Sequence, residues 1–198
     1  MKPHFFFLAA FLASIIIQAQ SIFRTNEFQI NTYKSELKWH GSSVFQFNDH
    51  DGNVQFKKGF IRVEKDQLWG GYFEVDMNSL VALDDGAQNE LRRHLKSDDF
   101  FDVKRFPNAW LSIQKVTAQE GGGYEVEADL NIKGITKPVL FDAQLERVGT
   151  NWQLTSKFKI DRTRWNIVYG SKGNEVIDPI KNYSISDAIG FEVNIITQ

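Results

Sequence analysis

Tyr124-Glu125-Val126-Glu127-Ala128-Asp129-Leu130-Asn131-Ile132 alternates apolar and polar side chains from end to end. A period of two puts one set on each face of an extended chain, so the stretch predicts a β-strand with one dry face and one wet. The same alternation recurs downstream. Val139, Phe141, Ala143 and Leu145 share one parity, with Leu140, Asp142, Gln144 and Glu146 on the other. Trp152, Leu154, Ser156, Phe158 and Ile160 oppose Gln153, Thr155, Lys157 and Lys159, and Ile189, Phe191, Val193 and Ile195 oppose Ala188, Gly190, Glu192 and Asn194.

Upstream the theme is less regular. Leu37, Trp39, Gly41, Ser43 and Phe45 share a parity, as do Trp69, Gly71, Phe73 and Val75. Val54 and Phe56 fall on even positions but Ile61 and Val63 on odd ones, so a bulge near Lys58-Gly59 is needed to keep one apolar face. Turn chemistry falls at Asp49-His50-Asp51-Gly52-Asn53, Gly121-Gly122-Gly123 and Gly149-Thr150-Asn151. From Asp84 to Ser97 the period changes: Ala87, Leu91 and Leu95 lie four apart, with Asp84 and Asp85 first and Arg92, Arg93, His94 and Lys96 last. That order suits a helix dipole and predicts a short helix over a barrel or across its mouth. Eight or so half-apolar antiparallel strands must close on something, and alternation alone fits a barrel or a two-sheet sandwich. Gly41, Gly71 and Gly134 on inward parities favour the barrel, where a sheet must bend.

The N-terminus has another character. Lys2 and His4 precede an apolar run from Phe5 to Ile17, followed by Gln18, Ala19 and Gln20. This predicts a signal peptide over residues 1–19, cleaved near Ala19 for export, then a lead-in over 20–31 and one β domain over 32–198. The run is shorter than a membrane span requires. With no Cys, disulfides and thiolate chemistry are excluded. A net charge of −2 offers no electrostatic case for nucleic acid.

Chemical signatures are sparse. His40 lies on a polar parity, His50 in an acidic turn and His94 near a helix end, none at the spacing of a helical metal-ligand pair. There is no Gly-x-Ser-x-Gly, and Asp84-Asp85 and Asp98-Asp99 read as capping and solvated acids. Asp161-Arg162 reads as a structural ion pair, and Trp165 and Tyr169 as rings that line a mouth. No catalytic residue, metal ligand or cofactor is assigned.

Three longer motifs carry a resemblance. They are Ser97-Asp98-Asp99-Phe100-Phe101-Asp102-Val103 with Phe106-Pro107, Leu130-Asn131-Ile132-Lys133-Gly134-Ile135-Thr136-Lys137-Pro138-Val139, and Ile160-Asp161-Arg162-Thr163-Arg164-Trp165 with Tyr169-Gly170-Ser171. With Trp39-His40-Gly41, Gly71-Tyr72-Phe73-Glu74-Val75-Asp76-Met77 and His94-Leu95-Lys96, their order from Thr32 to Ile196 resembles the YceI-like family of lipocalin-like, polyisoprenoid-binding proteins of the bacterial periplasm. Asn131 stands where that family often has Thr, and Asn166 where Gly often follows the aromatic.

The resemblance implies an all-β fold: an extended antiparallel eight-stranded lipocalin-like barrel with one short capping helix, enclosing a long isoprenoid-like lipid. It also implies a periplasmic or secreted carrier or store with transient membrane contact for loading, and no enzyme. Inward parity then nominates Trp39, Phe73, Val75, Leu130, Ile132, Phe141, Phe158, Ile160, Phe191 and Val193 as lipid contacts, with Trp165 beside them. Small inward residues (Gly71, Ala109, Ala128, Gly134, Ala143, Ser156) leave room for a lumen. Two other readings remain: a small enzyme or redox partner using His50 or His94 on a quinone-like ligand, and a solid-core envelope protein.

Overall fold

The computed structural model describes residues 26–42, 49–83, 88–171 and 185–198. The expected signal peptide lies outside them, as do Ser43, Phe45, Asp84, Asp85, Ala87 and the Gly173-to-Asn182 loop. The alternating stretches are strands. In chain order they are β1 (Glu27–Gln29), β2 (Glu36–Ser42), β3 (Asp49–Glu64), β4 (Gln67–Ala82), β5 (Asn108–Ala118), β6 (Tyr124–Ile132), β7 (Ile135–Val148), β8 (Asn151–Asp161) and β9 (Ala188–Ile196). Helix α1 (Gln88–Lys96) stands between β4 and β5, and a 3-10 turn, Arg162–Trp165, follows β8.

Every pairing is antiparallel, each strand from β2 to β9 pairs with its neighbours in the chain, and β9 returns to β2 (Trp39 opposite Phe191), which closes an eight-membered ring. β1 adds no ninth position. It pairs with the far half of β3 (Phe28 opposite Ile61), while β2 pairs with the near half (Leu37 opposite Val54). A turn whose Asn31 side chain accepts from the Tyr33 and Lys34 amides separates β1 from β2. Closure leaves no strand as a free edge, apart from a stretch where β7 and β8 part, which is how one apolar face per strand is buried without a second layer.

Register shifts explain the irregular parities. One falls between Phe56 and Lys58, bringing Val54, Phe56, Ile61 and Val63 onto one buried face despite their change of parity. Another falls between Arg62 and Val63, where Gly70 pairs with Arg62 but Leu68 with Val63. That leaves Trp69 as the extra residue, turned outward and 65% exposed, so its expected inward parity is corrected.

Other expectations are also revised. Asp49-His50-Asp51-Gly52-Asn53 is not a turn but the start of β3. Gly52 is there for close approach: a Cβ would stand 2.4 Å from the Trp39 indole and 1.9 Å from the Val81 carbonyl oxygen. Gly134 does not face inward along a strand. Lys133 (φ 52°) and Gly134 (φ 74°) form a two-residue hairpin turn, and the Phe106 ring packs where a Cβ would be. The lead-in is in part barrel wall, because Glu27–Gln29 is β1; a single apolar residue, Phe28, is too little pattern to mark a strand.

Candidate functional site

The two ends of the barrel are built differently. At the end holding the Lys65-Asp66, Gly121-Gly122-Gly123 and Gly149-Thr150 turns, the interior is solid. Ile30, Ile61, Val63, Leu68, Trp152 and Ile195 are buried together, and Phe28 meets Trp152 edge-on at 6.2 Å. Thr197 Oγ1 accepts from the Trp152 amide and ties down the C-terminus.

Toward the other end the interior is hollow. A cavity of ≈ 380 Å³ is bordered by all eight wall positions and by Leu91 and Leu95 of α1, which lies over it. Pockets of ~300–1,000 Å³ are typical of small-molecule sites. The wall is formed mainly by Leu, Val, Ile, Phe and Ala. On β7, β8 and β9 the rings of Phe141, Phe158 and Phe191 form a ladder, with centroids 4.7 Å and then 5.3 Å apart. Trp39 of β2 continues it opposite Phe191, its Nε1 donating to the Val81 carbonyl at 3.1 Å. Rings held along the wall, with Gly41, Ala109, Ala143 and Ser156 elsewhere on it, leave a lumen where a solid core would place interdigitating side chains.

Of the nominated residues, Trp39, Phe73, Val75, Leu130, Ile132, Phe141, Phe158, Phe191 and Val193 border this cavity. Ile160 and Trp165 do not. Ile160 is buried at the last inward position of β8, where the chain leaves the wall. Trp165 is wholly buried in a gap between strands. β7 and β8 pair only from Ala143–Ser156 to Val148–Asn151, so Ile135–Asp142 and Lys157–Asp161 have no partner in each other. The 3-10 turn covers this opening: Trp165 Nε1 donates to the Leu130 carbonyl at 3.1 Å, and Arg164 to that of Pro138 at 2.9 Å. Parity along a strand cannot anticipate a residue that sits after the strand has ended.

Arg162 also departs from expectation, for it does not pair with Asp161. The Asp161 carboxylate caps the 3-10 turn, accepting from the Thr163 amide and hydroxyl. Arg162, fully buried, donates to the carbonyls of Ser186, Ile167 and Ile185 and lies 3.3 Å from Asp187. Burial pulls the guanidinium below its ordinary range, and Asp187 and Asp161 work against that. Its work is to bind the chain entering β9 to the turn leaving β8.

Near α1 the wall gains polar groups that parity did not nominate. His50 and His94 both border the cavity. The His94 ring lies edge-on to Tyr169 at 4.5 Å and to Phe100 at 5.5 Å. Of the two rings expected at a mouth, Tyr169 packs against the cavity-lining His94 and Phe100 without bordering the cavity itself, and Trp165 does not border it either. His40 stands on the outer face, with Nδ1 2.5 Å from Asp51 Oδ1. Among the described residues no cluster of His, Cys, Asp and Glu has the makings of a metal site.

Comparisons agree with this architecture. The UPF0312 protein of Photorhabdus laumondii is 27% identical over 137 residues, 65% of this chain. The match spans 66% of that relative's length, and about half the length of other curated relatives. BcnA of Burkholderia cenocepacia superposes with a TM-score of 0.67 at 18% identity, covering 85% of this chain and 99% of its own. A polyisoprenoid binding domain from Saccharophagus degradans, implicated in plant cell wall breakdown, superposes with a TM-score of 0.60 at 12% identity, covering 86% and 97%. The YceI-like domain model matches residues 28–196, nearly the whole described barrel, and the chain belongs to that family.

Proposed function

We propose that this protein is an exported, periplasmic carrier or store that holds one long apolar, isoprenoid-like lipid in its barrel and performs no chemistry on it. The observation that carries the reading is the hollow, aromatic-walled end of a barrel whose other end is solid. Each CH₂ withdrawn from water contributes about 0.8 kcal/mol, so a polyprenyl tail is driven into such a cavity. Against a bilayer the gain nearly cancels, because lipid tails are equally apolar; loading and release at a membrane are then close to balanced. The Saccharophagus neighbour, itself a polyisoprenoid binding domain, adds support. A binding role rather than catalysis is favoured by the match to the YceI-like domain and by the polyisoprenoid binding neighbour.

The test is organic extraction and mass spectrometry of protein recovered from the exported fraction, followed by reloading with a polyprenyl alcohol or quinone. A co-purifying lipid that reloads at one per chain is expected. Protein that emerges empty and takes up neither compound defeats the reading. N-terminal sequencing of the same material, with Gln20 as the expected first residue, tests export.

A further inference from the structure

We infer that His94 is the head-group contact of the cavity, and that it selects a lipid whose head group is uncharged and offers a hydrogen-bonding oxygen. This rests on the proposed lipid reading and narrows it. The polar side chains of the wall are mostly committed. Trp39 Nε1 donates to the Val81 carbonyl, Ser156 Oγ to that of Asp142, and Ser186 Oγ accepts from the Ala188 amide. Arg162, a buried cation on the wall, is engaged by three carbonyls and Asp187, and so offers a diphosphate no free charge.

His94 differs. Its Nε2 is buried yet has no hydrogen-bond partner among the described residues, and of the atoms in that condition it alone belongs to a cavity-lining residue. Tyr169 and Phe100 hold its ring from two sides, so the imidazole is already positioned. A buried nitrogen without a partner is unfavourable, and a ligand oxygen at that point removes the deficit. A neutral imidazole can donate to a carbonyl or hydroxyl oxygen there, whereas an anion would also need a countercharge.

Three probes of one chain length test this: geranylgeraniol, its matching hydrocarbon and geranylgeranyl diphosphate, titrated by intrinsic tryptophan fluorescence. In His94→Phe the alcohol is expected to bind about tenfold more weakly, ~1.4 kcal/mol. The hydrocarbon should bind unchanged, which also reports an intact barrel, and His94→Gln should restore most of the loss. The wild-type protein should bind the diphosphate no better than the alcohol. Equal losses for alcohol and hydrocarbon, no loss for either, or preferred binding of the diphosphate each overturn the assignment while leaving a lipid carrier in place. A wild-type protein that takes up none of the three overturns the carrier reading as well.

Discussion

The solid and hollow ends of this barrel are made from the same alternating strands, and they differ in how the inward side chains meet. At the solid end, Trp152 and Ile195 of the paired strands β8 and β9 share one buried cluster with Ile61 and Leu68 of the paired strands β3 and β4, joined by Phe28 of β1 and by Ile30 just beyond it. At the hollow end, Phe141, Phe158 and Phe191 pack against neighbours along the wall, and small residues occupy much of the rest. A ring that spends its contacts sideways on the next strand does not fill the axis. One barrel can therefore hold a core that secures the fold and a lumen that is free for a ligand.

The sharpest test of this contrast is a pair of aromatic truncations. Trp152→Ala should destabilise the protein by about 3–5 kcal/mol, the cost of an unfilled hole in a tight core. Phe158→Ala removes a ring that already borders empty space and should cost about 1–2 kcal/mol, chiefly its packing against two other rings. Urea unfolding measures both, and equal costs would mean that the two ends are packed alike. A smaller effect is expected of Ala109→Leu on the hollow wall. Overpacking a filled core costs ~1–3 kcal/mol, but here the added methyls enter the lumen and stability should change by less than about 1 kcal/mol. Lipid capacity should fall instead, and a large loss of stability with uptake unchanged would remove the lumen from this position.

The smallest effect belongs to the outer wall, where neither end is involved. Burial works to raise the Glu74 carboxyl, but hydrogen bonds from Lys58 and Lys57 overcome it and hold it below the ordinary glutamate range. A carboxylate depressed in the folded state stabilises fully above its unfolded value, about 4.3, and that contribution is lost as pH falls through the lower folded value. Both lysines are largely exposed, so the expected size is only about 0.5 kcal/mol. Glu74→Gln should therefore lower stability slightly at neutral pH and flatten its loss as pH falls below the ordinary glutamate range, without altering lipid uptake. A mutant that retains the full acid dependence would detach Glu74 from it.

Much of this was legible in the residues. The period of two placed β6 to β9, and parity alone found nine of the wall residues that border the cavity, Trp39 and Phe191 among them. Parity fails wherever the backbone departs from a regular strand. Trp69 turned outward at a bulge, Gly134 belonged to a hairpin turn, and Trp165 entered the seam from beyond the end of β8. The sequence offered His94, with His50, only for a reaction on a quinone-like ligand; that a helix near the barrel end brings it to the cavity is signalled by no spacing in the chain.

What the amino-acid order determined by itself is local: which faces are apolar, that hairpins turn at Gly121-Gly122-Gly123 and Gly149-Thr150, and that one short amphipathic helix interrupts the strands. Those are decided by neighbours in the chain, through side-chain alternation and backbone preference. Closure into eight positions, the split between a solid and a hollow end, and the unpartnered Nε2 of His94 were decided by the tertiary structure. Each depends on distances between residues far apart in sequence, which are set only when β9 returns to β2 and the inward side chains compete for the same axis.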